Sequence, residues 1–258
     1  MHGIKSLLIQ VKYHSPKIAF VECFGVAIYL ENMVLSITKY SQNVFLLLKK
    51  EFRVELRTRF ALNGILMFVI VTVALINFSM GFLSIPSPIF YGLMWLALFF
   101  SGMYGLSRTF IAEVDQNTSD FLKLLVRPSQ IFISKFLFNL LLSFSLTILI
   151  ILAFYFFFTF PRTDYVTFFV GMFLGATALS STTTLLAAIV ALSDGKGALF
   201  PVLSFPLMIP LVMTLARLTQ LSLENASFAL IWEPIAVLIS FIVVTLTASI
   251  LLFDYIWY

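Results

Sequence analysis

The sequence predicts an all-α fold, a polytopic membrane protein with six transmembrane helices. The chain has 258 residues, of which 61% are hydrophobic and 11% charged, and its mean hydropathy is +1.05. A soluble domain has about 25% charged residues, so polar groups are too scarce here to cover a folded surface in water. Composition therefore excludes a water-soluble enzyme and favours a chain that buries most of its length in lipid.

Six apolar stretches have the length that a membrane-spanning helix requires, which is about 20 residues for about 30 Å of hydrocarbon. Strands of a membrane barrel alternate apolar and polar residues, and these stretches do not, so helices are expected. The predicted spans are Ala61–Leu83, Ile89–Leu106, Phe136–Phe158, Tyr165–Leu192, Leu199–Leu218 and Ile231–Phe253.

The distribution of Lys and Arg between the loops predicts the orientation, because cytoplasmic loops are enriched in these residues. Ten lie on one side, before the first span and in the loops that follow the second and fourth: Lys49, Lys50, Arg53, Arg57, Arg59, Arg108, Lys123, Arg127, Lys135 and Lys196. Two, Arg162 and Arg217, lie on the other side. We therefore expect both termini in the cytoplasm.

The chain before the first span divides into two segments. Residues 1–40 are an extension whose apolar run, Ile18–Leu30, is interrupted by Glu22, is short for a span and has no small-residue cleavage site. One hypothesis is that translation starts naturally at Met33, which an intact mass would test. Residues 41–60 are predicted to form an amphipathic interfacial helix, and residues 61–258 the six-helix domain.

The amphipathic segment Asn43–Phe60 carries apolar residues at spacings of three or four, which on a helix form one stripe: Phe45, Leu48, Phe52, Leu56 and Phe60. Its basic residues project elsewhere, so the helix is expected to lie in the membrane interface with its basic face toward lipid phosphates. Two roles stay open. The helix is either an anchor alone or a lever that contacts a cytoplasmic partner.

The loop between the second and third spans, Ser107–Gln130, is the longest polar stretch within the six-helix domain. Asn117-Thr118-Ser119 offers turn and helix-capping chemistry, and Phe121–Leu125 is predicted to be a short amphipathic helix that ends before Pro128. A docking surface for a soluble partner and simple seating at the membrane interface explain this pattern equally well.

The motifs of an active site are missing from the sequence. Gly195-Lys196-Gly197 lacks the remaining residues of a phosphate-binding P-loop, and no HExxH or GxSxG motif occurs. Lys135, Arg217 and Glu233 lie at span edges, where snorkelling is the ordinary interpretation. The chain is therefore predicted to be non-catalytic and to depend on another subunit for energy.

No resident cofactor is expected. The single cysteine, Cys23, excludes cysteine-based metal sites, and both histidines, His2 and His14, precede the first span. The spans accordingly offer no histidine as an axial haem ligand.

Two features within the spans suggest how the helices pack or move. A GxxxG motif, Gly171 to Gly175, followed by the hydroxyl run Ser180–Thr184, favours close helix packing over a substrate path. In the fifth span, three prolines remove backbone donors and are expected to bend or break the helix. They form either a hinge or a static kink: Pro201, Pro206 and Pro210.

The order of these elements resembles the type-2 ABC export permeases, whose loop after the second span docks on a separate ATPase. More narrowly, FRVELRTRFALNGIL at Phe52–Leu66 and GKGALFPVLSFPLMIPLVM at Gly195–Met213 resemble the CcmB family, haem exporter B of cytochrome c maturation. The closing segment Leu252–Trp257 fits a branch of the same family, whereas Ser107-Arg108 and Asn117-Thr118 depart from its loop pattern.

The resemblance implies a permease subunit in the plasma (inner) membrane. Six spans are half of a transporter's worth, so a dimer within the complex is expected. The implied partners are a CcmA-type ATPase, CcmC- and CcmD-type membrane proteins and, indirectly, a CcmE-type haem chaperone. The complex would handle haem, and the ATPase would bind ATP. The residues expected to contact the ATPase are Arg108, Glu113, Asp115 and Asp120 in the loop, with Glu51 and Arg53 in the amphipathic helix as further candidates.

Two alternatives stay open at this point. A permease of the same fold could export a lipid, a glycan or a drug, and genomic neighbours would discriminate. A membrane assembly scaffold would need no ATPase, so a stoichiometric nucleotide-binding partner would argue against it.

Overall fold

The computed structural model describes residues 38–80, 86–107, 109–110, 113, 122, 124–160, 164–191, 193, 196–223 and 227–257. Within these ranges all regular structure is helical and no strand occurs. The chain divides at Phe45 into two compact units. The described part of the first, residues 38–45, is helical, and the contacts below lie within the second, Leu46–Tyr258.

Seven long helices follow one another along the described chain. Residues 38–58 form α1, and the later helices are α2 (Phe60–Ser79), α3 (Ser87–Leu106), α4 (Pro128–Phe157), α5 (Tyr165–Ala191), α6 (Lys196–Leu223) and α7 (Phe228–Trp257). Each of α2–α7 is long and apolar enough to cross a membrane. The prediction of an all-α protein with six membrane-spanning helices is confirmed.

The predicted helix ends differ from the observed ones where polar residues flank an apolar run. Helix α4 begins at Pro128, eight residues before the predicted start at Phe136, and α6 continues to Leu223 rather than ending at Leu218. Hydropathy marks the part of a helix that lies in hydrocarbon, whereas backbone hydrogen bonding continues beyond it. Pro128 suits the first helical turn, where its missing N–H has no helical partner to lose.

One residue separates α1 from the first membrane-spanning helix. Arg59 has a φ of 52°, in the left-handed region, and this ends α1. The Glu55 carboxylate then accepts a hydrogen bond from the backbone N–H of Leu62 at 3.0 Å. A carboxylate at a helix N-terminus satisfies a free donor and complements the helix dipole. Glu55 thus joins the end of α1 to the start of α2.

Helix α5 is the centre of the bundle, since 19 of its 27 residues are buried and it contacts α3, α4, α6 and α7. Its glycines allow this close packing. An added Cβ at Gly175 would lie 2.5 Å from Cη2 of Trp95 in α3, and the Trp95 indole N–H donates to Thr219 Oγ1 of α6 at 3.2 Å. The GxxxG motif therefore lies at a helix-packing contact, as the sequence favours.

An aromatic cluster closes the end where α3 and α5 begin and α4 ends. Phe90 packs edge to face against Phe154 and Phe160, with ring centroids 5.3 Å apart in both pairs. Beside it, Asp164 accepts hydrogen bonds from the first turn of α5, and its own N–H donates to the Ser222 carbonyl of α6 at 2.8 Å. The Thr167 hydroxyl, which donates to the Asp164 carboxylate, lowers the pKa of that carboxyl.

The prolines of the fifth span lie inside an uninterrupted helix. Helix α6 runs from Lys196 to Leu223 through Pro201, Pro206 and Pro210, all of which are exposed. Of the two expected effects, a bend or a break, the break is excluded, and a bend stays a prediction. A hinge at these residues stays a prediction.

Substituting alanine at Gly175 should destabilise the bundle by about 1–3 kcal/mol, because the new methyl group overlaps the Trp95 ring. The matched control is Gly92→Ala in α3, where no atom lies within 4 Å of the added carbon. Fluorescence-detected gel filtration after heating in detergent measures both variants. Equal melting temperatures for the two would contradict the packing role of Gly175.

Candidate functional site, a buried charged cluster

Four segments converge at one end of the bundle. They are α1, the described loop residues Thr109, Phe110 and Glu113, the start of α4 and the end of α7. We call this the basic end because it holds Lys49, Lys50, Arg53, Arg57 and Lys135. Phe253 of α7 lies 5.4 Å from the Phe110 ring and 5.3 Å from the Phe132 ring of α4. Phe52 of α1 packs edge to face on Phe138 of α4, 5.3 Å away.

Two lysines and two glutamates form a charged cluster at the basic end: Lys50, Glu51, Glu113 and Lys135. Lys135 Nζ lies 3.2 Å from the Glu51 carboxylate and 3.1 Å from that of Glu113. Lys50 pairs with Glu113 and lies 3.6 Å from Glu51. The formal charges sum to zero, so the cluster links α1, the loop and α4 without leaving net charge among apolar side chains.

Lys135 is the most buried member of the cluster, with 1% of its surface exposed. Its ammonium group donates to Glu51 and, at 2.7 Å, to the Thr109 carbonyl, and it contacts Glu113, so three oxygens surround three protons. The Phe110 ring centroid lies 4.9 Å away, within cation–π range. The interpretation of Lys135 as a snorkelling residue is wrong, because its charge turns inward to fixed partners.

The electrostatic environment keeps Glu113 and Lys50 ionised at neutral pH. Burial opposes ionisation of Glu113, but Lys135 and Lys50 outweigh it and hold the pKa of the carboxyl below its ordinary 4.5. Burial likewise opposes the charge on Lys50, and the carboxylates of Glu113 and Glu51 raise its pKa above 10.5. The stability that ionised Glu113 contributes is thus present at neutral pH and is lost as the pH falls below 4.5.

The residues predicted to contact an ATPase fall into three groups: two face inward, one is exposed, and three lie outside the described residues. Glu51 and Glu113 face inward as members of the charged cluster, and Glu113 is 6% exposed. Arg53 lies on the exposed face of α1. The other three, Arg108, Asp115 and Asp120, lie outside the described residues.

Sequence reasoning missed the inward-facing residues of α4 that matter most at this end. Lys135 and Asn139 are buried, and Ser143 and Thr147 continue the same face, all at a spacing of four residues. This spacing is visible in the sequence. Most other residues of the helix are apolar, however, so its average composition does not distinguish one face from another. Side chains four apart share one helix face, so the polar face could have been predicted to point into the bundle.

The charged cluster has the properties of a fixed structural attachment between segments of the chain. Its members pair with one another, and the described residues contain no group of three or more His, Cys, Asp or Glu residues that could hold a metal ion. Breaking a buried ion pair leaves a charge without compensation, which costs several kcal/mol. The loop residues Thr109 and Glu113 are therefore held in one position relative to α1 and α4.

Six apolar membrane-spanning helices, with the charged cluster at one end, define a polytopic helical membrane protein. The family described as CcmB protein matches residues 42–253, and the chain belongs to this family. A comparison with curated proteins gives no match. The chain is therefore a membrane component of the cytochrome c maturation haem exporter.

Substituting Lys135 by Met should cost about 3–5 kcal/mol, because Glu51 and Glu113 lose their buried partner. The control is Arg217→Met, which removes an ion pair to Glu233 whose side chains are 60% and 61% exposed, and which should cost at most about 1 kcal/mol. Thermal unfolding in detergent measures both.

Adding Glu113→Gln to Lys135→Met should cost less than the sum of the two single changes, because one of the stranded carboxylates is then neutral. Additive losses of stability would contradict the structural role of the charged cluster. A Lys135→Met variant as stable as the Arg217→Met variant would contradict it too.

Proposed function

We propose that this chain is the permease subunit of an ABC complex for cytochrome c biogenesis, and that a separate CcmA-type ATPase drives it. In this proposal the subunit is non-catalytic and converts movement of the ATPase into rearrangement of the bundle, for haem export or release of a haem-loaded chaperone. The observation that carries the proposal is the charged cluster, which fastens the loop after the second span to α1 and α4. A loop held in this way can transmit force from a soluble partner.

The docking surface in this proposal comprises Arg53 on the exposed face of α1 together with Arg108, Asp115 and Asp120 of the loop. Glu51 and Glu113 contribute indirectly. Their carboxylates bind Lys135 and fix the position of the loop. The burial of Glu113 supports this division of roles, because a carboxylate that is 6% exposed has little surface for a partner.

The location and the remaining partners follow from the family and from charge. We place the basic end at the cytoplasmic face of the inner membrane, with both termini cytoplasmic, because Lys and Arg concentrate in cytoplasmic loops. CcmC- and CcmD-type proteins would complete the membrane complex, a second copy of this chain would form its dimer partner, and a CcmE-type chaperone would receive its action. With both histidines before residue 15, we assign haem handling to the complex rather than to the spans of this chain.

Deletion of the gene should abolish c-type cytochromes, because the proposed complex would then lack its permease. Haem staining of membrane and periplasmic fractions measures the loss, and a plasmid copy of the gene should restore the signal. Normal c-type cytochromes in the deletion strain would refute the proposed function.

Reversing the charge of Arg53 to Glu should reduce the ATPase that co-purifies roughly tenfold, because a like charge at the edge of an interface is repelled. Arg217→Gln is the control, since Arg217 is an exposed cation of α6 and its loss leaves Glu233 in an equally exposed position. Both variants should reach the membrane in normal amounts. Equal recovery of the ATPase with both would remove Arg53 from the docking surface.

A further inference from the structure

We infer that Asn139 is a positioning residue, which couples the loop after the second span to the central helix α5. It lies in the middle of a chain of hydrogen bonds that begins at the charged cluster and ends on the backbone of α5. The inference rests on the proposed function, since it concerns how a displacement of the docking loop reaches the bundle.

The hydrogen bonds form a series that starts at Lys135 of α4, passes through Thr109 of the loop and Asn139 of α4, and ends in α5. Lys135 Nζ donates to the Thr109 carbonyl at 2.7 Å, and the Thr109 hydroxyl donates to Asn139 Oδ1 at 2.6 Å. Asn139 Nδ2 then donates to Thr184 Oγ1 at 3.0 Å, and the Thr184 hydroxyl donates to the Ser180 carbonyl at 2.6 Å. The side chain of Asn139 thus uses its acceptor toward the loop and a donor toward α5.

Burial makes these hydrogen bonds costly to break. Asn139 and Thr184 are 0% exposed, and Thr109 is 9% exposed. A buried polar group that loses its partner pays a desolvation penalty, and in a membrane no water replaces the partner. The loop and α5 are therefore expected to move together, because moving apart would strand the amide of Asn139.

Thr184 lies in α5, a helix of which 19 of 27 residues are buried. Helix α5 contacts α3, α4, α6 and α7, so the hydrogen bond from Asn139 reaches a helix that packs against four other membrane-spanning helices. Ser143 also joins α4 to α5, through the Ala176 carbonyl at 2.9 Å, but that hydrogen bond does not include the loop. Asn139 is the point at which the loop, α4 and α5 meet.

The structure supplies a closely matched control for removal of the Thr184 hydroxyl. Thr183 is the neighbouring residue, is equally buried, and donates to carbonyls of its own helix, Leu179 at 2.7 Å and Ser180 at 3.2 Å. Thr183→Val and Thr184→Val delete the same atom from the same helix. The difference between them is that Thr184 accepts the hydrogen bond from Asn139.

The test uses the full chain co-expressed with the CcmA-type subunit of the same organism. Thr184→Val and Asn139→Leu should retain the ATPase at the level of the unmodified chain. They should lower c-type cytochromes, measured by haem staining, roughly threefold or more, as expected when one interhelical hydrogen bond is lost. Thr183→Val should leave both readouts unchanged, and Thr184→Ser, which keeps the hydroxyl, should restore cytochrome levels.

Other outcomes would overturn the inference in distinguishable ways. Normal cytochromes with Thr184→Val and Asn139→Leu, while the ATPase co-purifies, would overturn the coupling role and leave the proposed function intact. A lower membrane level of Thr184→Val than of Thr183→Val would show a structural role and would also overturn it. Absence of the ATPase from the unmodified chain would overturn the proposed function and this inference together.

Discussion

The burial of the Lys135 ammonium group is the constraint on which the basic end of this protein depends. Taking an isolated ammonium ion out of water costs several kcal/mol even after relaxation, and partners must offset that cost. Here the partners come from two segments of the chain, Glu51 from α1, and Glu113 with the Thr109 carbonyl from the loop. The loop and α1 must therefore stay against the start of α4 for the helix to be stable.

This constraint gives a physical meaning to the connection between the loop and the membrane. A loop that docks a soluble protein transmits movement to the membrane only if it is attached firmly to the helix bundle. A loop that is free in solvent would move without displacing the helices. The charged cluster provides the attachment at the basic end, and the hydrogen bonds through Asn139 extend it to the middle of α5. The opposite end is built differently, from edge-to-face contacts between aromatic rings such as Phe90 and Phe154. Among the ion pairs of the described residues, the buried ones thus lie where the proposed ATPase would bind.

The same contrast separates the two kinds of ion pair in the chain. Arg217 and Glu233 are exposed and lie 3.1 Å apart, so each loses little if the other is removed. Lys135 has 1% of its surface exposed, and its partners would be stranded without it. Membership of the CcmB family identifies the complex to which the chain belongs, and the buried pairs indicate where a substitution would cost this chain the most stability.

Composition and hydropathy by themselves determined the class of this protein, the number of spans and the approximate place of each, because a helix in hydrocarbon must be apolar over about 20 residues. The family was also recognisable from the segments around Phe52–Leu66 and Gly195–Met213. The inward direction of Lys135 was decided only by the tertiary structure, since a charge near a predicted span edge fits snorkelling as well as burial until its partners are known. Glu51 and Glu113 lie 84 and 22 positions from Lys135 in the sequence, and the packing of α1 and the loop against α4 brings their side chains together. Hydropathy measures transfer into lipid one residue at a time, and it carries no information on which distant groups will meet.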